Sequence, residues 1–165
     1  MKNSVLPQIL LLYPKTGIDF GSTVAPPHAL LSVAAPLIQA GYRVKLLDQR
    51  VEKVTRDVLC QYISKELICV GLSVMTGTQI AYAIGLAKMV RALTGDEIPL
   101  VWGGCHPSVL PEQTACHPLV DIVICGEGDE TFLELVESLE AKRSLERVKG
   151  IDTLRRDIRR ERTSA

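Results

Sequence analysis

The chain has 165 residues, 47% of them apolar, and its 19 Lys+Arg balance 19 Asp+Glu to a formal net charge of zero. That size and balance fit one ordinary globular domain and exclude both an intrinsically disordered chain and a domain ruled by a strong electrostatic field. The charge is unevenly placed: residues 149–165 hold six Lys+Arg against three Asp+Glu, leaving the body mildly acidic and the tail basic.

The tail LRRDIRRERTSA has no apolar period and reads as a solvated end, with no nucleic-acid function. At the other end, MKNSVLPQILLLYP is too short in its apolar run for a membrane span and has no small-residue cleavage site. A cytoplasmic protein is expected. Five cysteines, Cys60, Cys69, Cys105, Cys116 and Cys125, show no CxxC spacing and form neither a disulfide framework nor a zinc ribbon. Buried free thiols are expected instead.

In chain order, five apolar runs end in turn chemistry and predict strands: QILLLY (8–13), YRVKLLD (42–48), LICVGLS (67–73), PLVWGG (99–104) and DIVICG (121–126). Helical periods lie between them. PPHALLSVAAPLIQAG opens on proline and closes on Gly41, with Pro36 expected to kink or shorten it. VEKVTRDVLCQYISKE and TQIAYAIGLAKMVRALTG predict the next two helices. A short turn is expected near PEQTAC, and GDETFLELVESLEAKR predicts the last helix, with Asp129 or Thr131 near its start. Alternating strands and helices predict an α/β fold of flavodoxin-like (Rossmann-like) type: a five-stranded parallel sheet, order 2-1-3-4-5, with helices on both faces.

In such a sheet ligands bind beyond the carboxyl ends of the strands, at the point where the strand order reverses. Four loops lie there: YPKTGIDFGSTVAPP, SVMTGTQ, GGCHPS and GEGDE. The first is long enough to suggest function, yet it has neither GxGxxG nor GxxxxGK[ST], so both phosphate-binding fingerprints are absent. The loop after the third strand offers hydroxyls and backbone N–H groups, Ser73 among them, to a polar ligand group; helix capping accounts for one hydroxyl equally well. Gly103-Gly104 reads as a tight turn or as a gap through which a flat group passes close to the backbone. Glu127 and Asp129 bind a ligand or cap the final helix. His106 lies on the ligand side and His117 reads as a surface loop residue. With no HExxH, no GxSxG and no spaced acid pair, independent catalysis has little support.

The segments PLVWGGCHPSVLPEQ and HPLVDIVICGEGDETFLELV, with LLSVAAPLIQAGYRVKLLD before and VGLSVMT between, resemble the cobalamin-binding domain of B12-dependent radical SAM proteins, including the anaerobic magnesium-protoporphyrin IX monomethyl ester oxidative cyclase branch. The likeness covers roughly residues 6 to 152. It implies cobalamin bound base-off, its nucleotide tail threaded past Gly103 and Gly104, with Ser73-Val74-Met75 standing where the family has Ser-x-Leu. On the same ground Thr16, Gly17, Ser73, Met75 and Thr76 are assigned to the cofactor. So are Gly103, Gly104 and His106, and the turn Gly126, Glu127 and Gly128.

Two departures qualify the likeness. Methionine synthase-type domains carry Asp-x-His-x-x-Gly after the first strand, whereas PKTGIDFGS has Asp19 and Gly21 but no histidine, so a protein imidazole on cobalt is not expected. His28, at the end of that loop, is a weak substitute whose expected role is at the helix start. The CxxxCxxC site of a [4Fe-4S] cluster is also absent. The resemblance therefore implies a cofactor module over residues 1–150, with 151–165 starting a linker toward a missing radical SAM domain, where the cluster and S-adenosylmethionine would bind. Expected partners are cobalamin and that domain. The alternative is a flavodoxin-like signalling or interaction domain that does not bind cobalamin; a receiver-type acidic pocket would need clustered aspartates, and Asp48 alone occupies such a place.

Overall fold

The computed structural model of the chain describes residues 8–17 and 25–152. One sheet organises them, with strand order β2-β1-β3-β4-β5-β6. Its strands are β1 Ile9–Tyr13, β2 Val44–Asp48, β3 Cys69–Ser73, β4 Leu100–Gly103, β5 Ile122–Ile124 and β6 Ile151–Asp152. The first five pair in parallel in the expected order.

The sixth strand corrects the expected count of five. β6 pairs antiparallel with β5, setting Val123 opposite Asp152 and Ile124 opposite Ile151. An edge strand with bare N–H and C=O groups invites pairing with other chains, and the returning segment covers it. Gly150, at φ +78°, turns the chain into place and its carbonyl accepts the Cys125 N–H at 2.8 Å. The sheet thus runs two residues past residue 150.

Strict alternation along the strands divides the apolar residues between two faces. Ile9, Leu11, Cys69, Val101, Ile122 and Ile124 pack under α1 (His28–Gln39) and α6 (Asp129–Glu140). Leu10, Leu12, Val70, Leu72, Trp102 and Val123 pack on the opposite face, under α2 (Arg56–Cys60), α3 (Gln79–Thr94) and α5 (Pro111–Ala115). Of the cysteines expected to be buried, Cys69 is buried and Cys125 half-buried, whereas Cys60, Cys105 and Cys116 lie outside the core and are exposed.

Three helical expectations are adjusted. Pro36 does not break α1, because it sits in the last turn, where its missing N–H costs one bond toward the exposed Ser32. The helix expected over 51–66 shrinks to Arg56–Cys60: Val51 and Glu52 N–H groups turn back to the Asp48 carbonyl, and Thr55 then caps the helix by accepting from Val58 N–H at 3.3 Å. After the double glycine come two short helices rather than one turn, α4 (Cys105–Val109) and α5, which has Pro111 in its first turn.

Candidate functional site

Side chains shrink along β3 and β4 on the face toward α1 and α6. β3 presents Cys69, then Gly71, then Ser73; β4 presents Val101, then Gly103. The register places Gly71 beside Val101 and Ser73 beside Gly103, so the loss of volume falls on neighbouring strands. What remains is a cavity of ≈ 440 Å³ between the sheet and the two helices, lined by Leu11, Val33, Gly71, Gly103, Ile124 and Phe132 among others. That volume lies within the roughly 300–1,000 Å³ typical of small-molecule sites.

The two ends of this slot differ. At the inner end, Gly71 is pressed by its neighbours: a Cβ there would lie 2.9 Å from Leu11 Cδ2 and 3.1 Å from the Phe132 ring. Below it, burial pushes the Cys69 thiol up to about 12, so it stays protonated and apolar. At the outer end, Gly103 is open, since a Cβ would meet Ile124 only at 3.7 Å. Gly126, Glu127, Gly128 and Asp129 form the mouth.

The two glycines of the double glycine therefore have different reasons to exist. Gly104 adopts φ +102°, and a Cβ there would lie 2.9 Å from both Val74 N and Val74 O. Close backbone approach to β3 is enough to require glycine at that position. Gly103 meets no such obstacle, and its missing side chain is space given to the slot.

Side chains bind the ligand-side loops to one another. Gln79, 2% exposed, accepts the Met75 N–H through Oε1 at 2.6 Å and donates through Nε2 to the Pro14 carbonyl at 2.8 Å. Thr78 donates its hydroxyl to the Thr16 carbonyl and lies against Gly17, which has φ +107°. On the other side, Arg50 pairs with Asp48 at 2.7 Å, stacks over the Tyr13 ring at 4.2 Å and donates to the Ala25 carbonyl at 3.0 Å. The Asp48 carboxylate is thus engaged by an arginine and forms no open acidic pocket.

Of the residues singled out in the sequence, Ser73, Gly103, Gly104, Gly126, Glu127 and Gly128 come together around the slot. Thr16, Gly17, Met75, Thr76 and His106 do not line it. Thr16 and Gly17 brace the first loop against Thr78, while Met75 and Thr76 are exposed on the adjoining rim. Asp19 and Gly21 lie outside the described residues.

The histidines stand apart as well. His28 is the exposed first residue of α1, as its helix-start reading expects. His106 has its Nδ1 buried, and His117 accepts the Leu119 N–H on its Nδ1 at 3.2 Å beside the Trp102 ring. Asp129 is not a cap: the N-cap of α6 is Gly128, and Asp129 sits in the first turn facing the mouth. Among the described residues no group of three or more His, Cys, Asp or Glu is placed to hold a metal ion.

Sequence reasoning passed over Gly71 and Phe132. The signal for Gly71 was available, since a glycine inside the apolar run CVGLS marks a close approach to the strand. Phe132 had none, because a helix phenylalanine reads as core.

Both the sequence and the fold have counterparts among known proteins. The family model of the B12 binding domain matches residues 21–136. The chain belongs to that family. This B12 binding domain is 31% identical over 150 residues to an uncharacterised methyltransferase of Pyrococcus horikoshii, a match covering 87% of this chain and 32% of the relative. It is 30% identical over 159 residues to the anaerobic magnesium-protoporphyrin IX monomethyl ester cyclase of Synechocystis, covering 91% of this chain and 31% of the cyclase. The chain spans about a third of the length of these curated relatives.

Among solved structures, the radical S-adenosylmethionine methyltransferase TsrM from Kitasatospora setae, with cobalamin and a [4Fe-4S] cluster bound, superposes with a TM-score of 0.71 at 22% identity, over 89% of this chain and 27% of that one. The cobalamin-dependent S-adenosylmethionine radical enzyme OxsB, with aqua-cobalamin and S-adenosylmethionine bound, gives 0.67 at 23% identity over 90% and 21%. Those likenesses establish the fold. The family makes cobalamin the cofactor of this B12 binding domain.

Proposed function

We propose that this domain binds cobalamin base-off, with the nucleotide tail released from cobalt and received by the slot between the sheet and the α1–α6 layer. The observation that carries this reading is the pairing of Ser73 with Gly103 on adjoining strands, where small residues leave an apolar cavity between sheet and helices. The residues fit a flat heteroaromatic group: Gly103 admits it close to the backbone, Phe132 and Ile124 give it apolar contact, and Ser73 supplies a hydroxyl at the wall.

When bound, cobalamin supplies a cobalt centre able to carry a methyl group or accept an electron. The residues of this chain hold the cofactor and shape its surroundings. Gln79 and Arg50 fix the two ends of the first loop, and Glu127 and Asp129 put carboxylates at the mouth, where polar groups of the tail would emerge.

In the whole protein, we infer, this domain is the N-terminal cofactor module of a cytoplasmic radical SAM enzyme of methyltransferase or oxidative cyclase type. Both classes are named among its relatives. No helix among the described residues is long and apolar enough to cross a membrane.

Mixing the purified chain with hydroxocobalamin and desalting it tests the reading. Protein that keeps the corrin absorption supports it. Colourless protein overturns it in favour of an interaction domain on the same fold.

A further inference from the structure

We propose that Ser108 is a positioning residue that fixes the width of the slot's mouth by tying the loop after β4 to the loop after β5; this rests on the reading that the slot receives the nucleotide tail. The backbone leaves that job open. Between β3 and β4 the ladder continues to the mouth: Ser73 pairs with Gly103, Val74 N–H donates to the Gly103 carbonyl at 2.8 Å, and His106 N–H donates to the Val74 carbonyl at 3.0 Å. Between β4 and β5 the register pairs are Val101 with Ile122 and Trp102 with Val123, and the pairing ends there. Gly103 and the segment after Ile124 are therefore not laddered together at the point where the slot opens.

Ser108 bridges this gap. Its Oγ donates to the Gly104 carbonyl at 2.8 Å and accepts the Gly126 N–H at 2.9 Å, so one hydroxyl holds both loops. Its own N–H also donates to the Gly104 carbonyl, at 3.1 Å. Gly104 and Gly126 both line the cavity, both have positive φ, and neither has a side chain with which to brace itself. A Cβ on Gly126 would meet nothing within 4 Å. The five-residue helix α4 places the Ser108 hydroxyl between them.

Losing this hydroxyl leaves the Gly126 N–H without its partner and lets the β5 loop move away from β4. A widened mouth grips an inserted group less well and does little to a ligand that inserts nothing. Hydroxocobalamin and cobinamide, the corrinoid lacking the nucleotide tail, separate the two effects.

Dissociation constants for both corrinoids are measured on the wild-type chain and on Ser108→Ala and Ser108→Thr, with circular dichroism melts to confirm folding. The expected result is that Ser108→Ala weakens hydroxocobalamin by about tenfold, as a lost pair of hydrogen bonds allows. Cobinamide should stay within about twofold, and Ser108→Thr, which keeps the hydroxyl, should recover most of the affinity. Unchanged hydroxocobalamin affinity in Ser108→Ala overturns the proposal, as does an equal loss for both corrinoids or a Thr variant as weak as the Ala variant. A wild-type chain that binds neither corrinoid removes the cobalamin reading and this inference with it. One that binds both equally removes the tail-in-slot geometry.

Discussion

Ser73 and Gly103 are register partners at the carboxyl ends of β3 and β4, and both border the slot beneath α1 and α6. One contributes a hydroxyl and the other an absence of side chain. Substitution at the two positions should therefore act on the same bound group in different ways.

Gly103→Leu should abolish retention of hydroxocobalamin while leaving the fold intact. A Cβ at Gly103 meets Ile124 at ordinary contact distance, so the side chain fills the slot without a backbone clash. Gly104→Leu is a poorer probe, because its Cβ would strike Val74 and disturb the fold itself. Retention after desalting, set beside Cys116→Ala on an exposed site, measures the effect; a Gly103→Leu variant that stays coloured removes the slot assignment.

Ser73→Ala should weaken binding several-fold and no further, since one neutral hydrogen bond contributes about 0.5–1.5 kcal/mol net. Spectrophotometric titration reads the change. No change at all would give the tail to other groups of the wall.

Reduced, cobalamin-bound protein should show no axial nitrogen on cobalt. The loop after β1, residues 14–27, contains no histidine, and His28 comes only after it, as the first residue of α1. Electron paramagnetic resonance of the Co(II) form decides this, because a nitrogen ligand splits each cobalt line into a triplet. Triplets that vanish in His28→Ala or His106→Ala would identify that residue as the ligand.

Gly71→Ala should cost about 1–3 kcal/mol of stability, the usual range for overpacking a core. Its Cβ would fall inside contact distance of Leu11 and Phe132. Phe132→Leu in the same chain should return part of the loss by vacating ring positions, and urea denaturation midpoints of the single and double variants test the coupling.

Stability should fall above about pH 9 through the buried Cys69. The thiol titrates at 9.0 when free and at about 12 in the fold, where burial disfavours the thiolate. Below 9.0 both states keep the proton and the contribution is intact. Between 9.0 and about 12 the unfolded chain binds fewer protons than the folded one, so stability declines with rising pH. Cys69→Ala should flatten part of that slope in denaturation series between about pH 8 and 11. Tyr42, raised from 10.0 to about 12 by burial and by its hydrogen bond to Glu140, and Cys125, raised by burial and by the nearby Asp152 carboxylate, add to the slope in the same direction.

The sequence by itself determined the layered architecture and the order of the first five strands, because apolar runs and helical periods are local patterns and parallel strands joined by helices have few topologies. It also pointed to loops that border the slot, since Ser73, Gly103 and Gly126 stand where strands end in turn residues. Tertiary structure decided what each position is for. Gly103 and Gly104 are neighbours of the same type, yet one opens the slot and the other accommodates Val74, a difference set by which strand lies behind each. Phe132 meeting Gly71, Ser108 joining Gly104 to Gly126, and β6 covering the edge of β5 all depend on segments distant in the chain arriving at contact distance, and no local period encodes that distance.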